Sequence, residues 1–102
     1  MKTNVVYIHV VPKPVVVKEV KLKADKTEVT VGEDVSFFVE VVCEAVPREV
    51  ESECYVYVND KHVKTVKFRI PKGWAGTYFK FTLTFKEAGV YEVYVEVPKV
   101  IG

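Results

Sequence analysis

Glutamine is absent from this chain of 102 residues, asparagine and serine occur twice each, and Met1 is the only methionine. Scarcity of these thermally labile side chains, beside abundant Lys, Glu and Val, matches the composition of hyperthermophile proteins. We expect a thermophilic source, an archaeon or a virus of such a host. A charge excess is also lacking, since fifteen basic residues face fourteen acidic ones. General nucleic-acid binding draws on a strong positive field, so nucleic acid is not the expected partner. No apolar run approaches the ~18 residues of a membrane span. The apolar start of the chain lacks a small-residue cleavage site and carries His9, Pro12 and Pro14. It does not read as a signal peptide, and the chain is expected to be soluble.

The patterns of catalysis are missing too. Cys43 and Cys54 stand eleven apart without the paired Cys-x-x-Cys spacing of zinc sites, so no metal is expected. Ser36 and Ser52 lack a Gly-x-Ser-x-Gly elbow, and there is no glycine-rich phosphate loop. His9 and His62 fall on different predicted strands with no repeated spacing to Cys or carboxylates. We expect neither catalytic residues nor a cofactor, and read the chain as not an enzyme. Two readings of the cysteines remain. A Cys43–Cys54 disulfide would close a short loop, with about 2–3 kcal/mol of stabilisation; otherwise both are buried thiols packing as small apolar groups.

What is present is valine, 25 times, with six Tyr and six Phe. Such a composition favours strands. The strongest stretch is 77–97, TYFKFTLTFKEAGVYEVYVEV. There Phe79, Phe81, Leu83 and Phe85 alternate with polar residues, Lys86 to Gly89 read as a tight turn, and Tyr91, Val93, Val95 and Val97 alternate again. It predicts an antiparallel hairpin. Upstream, strands are expected at 4–11, 15–24, 34–44, 54–58 and 62–70. Val35, Phe37, Val39, Val41 and Cys43 should share one face, and Val66, Phe68 and Ile70 another. Asn59-Asp60-Lys61 is a turn signal, because Asn and Asp tolerate left-handed backbone. No window has helical periodicity. Seven short strands with turns about every ten residues describe an all-β, immunoglobulin-like antiparallel β-sandwich as one domain, 1–102.

Within it lies an apparent duplication. Residues 17–23 are VKEVKLK and 63–69 are VKTVKFR, and Lys26 matches Lys72 at the same offset of 46. After a two-residue gap, Val35, Phe37, Val39 and Val41 align with Phe79, Phe81, Leu83 and Phe85. Pseudo-repeated halves 15–58 and 61–97 are expected, with a groove where they meet; shared composition of two β-rich halves is the alternative.

The run KTEVTVGEDVSFFVEV (26–41), with VYVNDKHVKTVKFRIPKGWAGTYFKFTLTFKEAGVYEVYVEV (56–97), resembles the CARDB (cell-adhesion-related) domains and related immunoglobulin-like modules. Strand, Gly-containing turn and alternating apolar strand carry the likeness, over about 15–97. Cys43-Glu44-Ala45-Val46-Pro47 replaces the polar, Asn-containing turn usual there. The resemblance implies a non-catalytic module of structural or adhesive use and transfers no site residues.

Binding candidates come from apolar side chains in the wrong phase for the core. Phe38 and Val42 lie opposite the inward set, and Tyr78 stands on the polar face of its strand. Strand 4–11 is apolar on both faces, with Val5, Tyr7 and Val11 on one and Val6, Ile8 and Val10 on the other, so it must be covered twice or pair with a partner. Trp74, between Gly73 and Ala75-Gly76, is either a binding anchor or a plug for the open end of the sandwich, and the plug is preferred. The cluster Glu44, Glu49, Glu51 and Glu53 reads as a solvated loop, and Lys21, Lys23, Lys67, Arg69 and Lys80 could form a basic stripe. The expected function is protein–protein interaction, with an extended peptide bound at an edge strand or groove and homo-oligomerisation open. The alternatives are a structural component of a surface layer, adhesive or virion, and a small carbohydrate- or nucleic-acid-binding module.

Overall fold

The computed structural model describes residues 1–11 and 13–101. Among the described residues it is all-β, with seven strands: β1 (Val15–Ala24), β2 (Asp34–Cys43), β3 (Val50–Val58), β4 (Lys61–Ile70), β5 (Gly76–Thr84), β6 (Val93–Glu96) and β7 (Val100–Ile101). They form two antiparallel sheets packed as a sandwich. One has the order β5-β2-β1-β7 and the other β4-β3-β6.

Strict alternation places the core. On β2, Val35, Phe37, Val39, Val41 and Cys43 are all buried, and the residues between them face outward. Opposite them stand Val50, Cys54 and Val56 of β3 and Phe68 and Ile70 of β4. Stacked rings tie the layers: Phe37 on Phe81 at 5.1 Å within one sheet, and Phe68 on Phe79 at 5.0 Å between sheets. Each fully buried Val or Ile adds about 1.5–3 kcal/mol of burial. β1 carries a bulge between Val17 and Glu19, which shifts its inward set from Val15 and Val17 to Val20 and Leu22. The β3–β4 turn is two residues, Asn59 and Asp60, with φ of 50° and 63°, the backbone of a type I′ hairpin.

Successive register pairs define the two ends of the sandwich. Val17, Cys43, Gly76, Ile70 and Val50 mark the lower end; Ala24, Asp34, Thr84, Lys61 and Val58 mark the upper. The lower end is sewn shut by main chain: Cys43 N–H donates to the Ala75 carbonyl, Val46 N–H to Trp74, and Gly73 N–H to Val46, at 2.8–3.0 Å. Gly76 begins β5 at φ 140°, where a Cβ would lie 2.0 Å from the Val41 carbonyl oxygen.

Several expectations are corrected. Residues 77–97 are not a hairpin: β5 pairs with β2 in one sheet and β6 with β3 in the other, so 85–92 crosses between layers. Burying the apolar faces of both strands against opposing layers wins over local pairing. β3 starts at Val50, earlier than expected, so Glu51 and Glu53 project from a strand. The strands sharing the lysine spacing, β1 and β4, lie in different sheets. β1 is paired with the strand that follows it, whereas β4 and β5 are in separate layers. The halves therefore do not map onto each other strand for strand.

Residues 4–11 belong to no strand among the described residues. No strand among the described residues pairs with them. The molecule measures 81 × 25 × 17 Å. Strands of ten residues span only ~33 Å, so the length comes from an arm, residues 1–11, extended away from the body.

Candidate peptide-binding groove

The last strand is shared between layers. β6 runs beside the upper half of β3, pairing Val93 with Val58 and Glu96 with Tyr55. The chain then crosses, and β7 pairs Val100 and Ile101 with Val16 and Val15 at the lower end of β1. The Val17 N–H, donating to the Lys99 carbonyl at 2.7 Å, is the last bond on that side. Residues 18–24 of β1 thus have β2 on one edge and no strand on the other among the described residues. An open edge of this kind is a template for another strand.

Beside this edge, at the upper end, a groove of about 1010 Å³ opens between the layers. Leu22 and Ala24 of β1 form one wall, and Val93 of β6 with Tyr91 the other. Val35 and Phe37, both buried core residues, lie at its floor, and Val29, Val31 and Val90 at its rim. The rim loops are held by specific bonds. Asp25 N–H donates to the Ser36 carbonyl and Ser36 N–H to Asp25 Oδ1. Gly32 N–H donates to the Phe85 carbonyl, Tyr91 hydroxyl to the Glu87 carbonyl, and Asn59 and Glu92 exchange a pair of bonds. Phe85 stacks on Tyr91 at 4.5 Å. Glu33, just after the rim loop, is held below the usual carboxylate range by the Thr30 hydroxyl and then its N–H, with Lys26 helping. An apolar floor framed by main-chain donors and acceptors suits an extended apolar peptide.

The expected site residues fall in three places. Val5 and Tyr7 are on the arm and exposed. Phe38, Val42 and Tyr78 share the outer face of the first sheet, away from the groove. Phe38 sits in register between Lys23 and Lys80, Tyr78 is opposite Glu40, and Val42, half-buried, faces Glu19 and Gly76. Trp74 is in the lower loop and is half exposed. Val46, 2% exposed, closes that end instead, so the plug assigned to Trp74 is corrected. Cys43 and Cys54 are both buried free thiols, and the disulfide is not formed. Cys43 ends β2 at the lower rim while Cys54 lies mid-strand on β3 opposite Val66, so the two do not share a level. Burial pushes the Cys54 thiol up to about 11; burial also raises Cys43, against the pull of Lys18.

The basic stripe does not form either. Lys21, Lys23 and Lys80 are on the outside of one sheet, Lys67 and Arg69 on the other. Glu44 bonds Lys13 and Lys18, and Glu49 bonds Arg69 at 3.2 Å. No group of three metal-ligating side chains lies together among the described residues, and no helix there is long and apolar enough to cross a membrane. The groove residues themselves were missed as a site, because Leu22, Val35, Phe37 and Val93 carry the same alternation as core. The one local signal was TEVTV (27–31), alternating yet outside a strand. Comparisons with protein-family models, with curated proteins and with solved structures return no match.

Proposed function

We propose that this protein is a non-enzymatic interaction module that binds an extended, alternating apolar segment by strand addition beside β1, the segment's inward side chains filling the groove over Val35 and Phe37. The observation that carries this reading is the coincidence of an unpaired edge, 18–24, with an apolar groove opening on the same seam. Main-chain bonds along β1 would supply affinity, and the groove would select side chains at alternate positions. The immunoglobulin-like and CARDB-like resemblance agrees with such a use. The test is binding of fluorescent peptides to the intact chain. An eight-residue peptide alternating Val or Ile with Thr should bind, the same composition with its apolar residues grouped together should bind at least tenfold more weakly, and Val31→Asp at the rim should weaken the first. Equal binding of both peptides, or none of either, overturns the reading.

A further inference from the structure

The arm has the properties the groove requires. Its six large apolar side chains, Val5, Val6, Tyr7, Ile8, Val10 and Val11, are between 59% and 88% exposed. Val6, Ile8 and Val10 make one purely apolar face, while Tyr7 and His9 on the other tolerate water. Eight arm residues (4–11) face seven of open edge (18–24), about 26 Å against about 23 Å of strand. Resting on the strand-addition reading, we propose that the occupant of the groove is the arm of a second copy of this chain.

The arm does not serve its own groove without breaking the fold. Three residues, 12–14, separate it from β1, so folding back as a hairpin would set residue 11 beside Val15, where β7 already pairs. The donor and acceptor also lie at opposite ends of the body. The arm leaves from the start of β1, and the groove opens at Leu22 and Ala24 near its end. Each copy that gives its arm to one neighbour keeps its groove free for another. The contact joins unlike surfaces: repetition gives a head-to-tail chain, and reciprocal exchange of arms between two copies gives a closed dimer.

The test uses the full chain and two variants on exposed side chains, Ile8→Asp in the arm and the double variant Val31→Asp, Val90→Asp on the groove rim. Sedimentation of the unaltered chain should give masses rising with concentration to a dimer or beyond. Each variant alone should associate at least tenfold more weakly while keeping its β circular-dichroism spectrum. Their equimolar mixture should form a heterodimer that grows no further, because it joins the one good arm to the one good groove. A monomer at every concentration overturns the proposal, as does a dimer that survives both variants. To separate this from the binding reading, the Ile8→Asp chain is offered two peptides, one with the sequence 1–11 and one alternating Val and Thr. If only the second binds, the groove reading stands and the second-copy inference falls; if neither binds, both fall.

Discussion

Replacing Gly76 with alanine should be among the most damaging single changes in the body of the protein. Gly76 sits at φ 140°, a conformation side chains rarely adopt. Holding a non-glycine residue there costs about 1–3 kcal/mol. A second cost arises because the added Cβ would be 2.0 Å from the Val41 carbonyl oxygen and 3.2 Å from the Val42 Cα, all backbone. No side chain can swing away, so β2 and β5 must part at the Val42–Gly76 pair. Losing one or two ladder bonds adds about 1–3 kcal/mol. The sum, roughly 2–6 kcal/mol, is a large share of the ~5–15 kcal/mol that holds a domain together. Urea unfolding followed by circular dichroism reads it: with m of about 1–3 kcal/mol/M, the midpoint should drop by about 2 M. Gly73→Ala is the control. Its φ of 85° is also positive, yet nothing lies within 4 Å of the new methyl, so it should lose only the backbone share, about 1–2 kcal/mol. Equal losses for both variants would refute the steric argument.

Other outcomes follow from the core and its charges. Ile70→Ala, at a fully buried site, should cost about 2–5 kcal/mol by the same unfolding assay. Cys54 favours the neutral thiol in the fold, its pKa pushed up to about 11 by burial. Its contribution is intact below the ordinary thiol range and is lost as pH rises toward 11. Comparing Cys54→Ala with the unaltered chain from pH 8 to 11, the stability difference should shrink by at most about 2–3 kcal/mol. Glu44→Gln removes two ion pairs longer than 3.5 Å between exposed side chains, and should change stability by less than about 1 kcal/mol. Thermal melting should lie above the mesophile range of about 45–65 °C, as the composition implies.

The layers were readable because alternation is a local property. The inward sets on β2, β4 and β5 were each legible from period two alone, and so was the Asn59-Asp60 turn. Pairing was not. The 86–89 turn looked like a hairpin, yet the strands beside it join different sheets, since nothing in a short turn says which layer the next strand enters. Residues 4–11 carry a strand's pattern with no partner strand among the described residues, and pattern cannot distinguish a strand paired within one molecule from one awaiting another. The groove was hidden for a related reason: Val35 and Phe37 are core by periodicity and stay buried, and only the fold brings the loops 26–31 and 87–91 together above them.

The most direct test of strand addition beside β1 is amide hydrogen exchange of residues 18–24 in the full chain, measured at low and high concentration and against Ile8→Asp. Exchange along that edge should slow at least tenfold at high concentration in the unaltered chain and stay fast in the variant, while β4, the outer edge of the other sheet, is unchanged in both. Exchange at 18–24 that ignores both concentration and the arm would contradict the account.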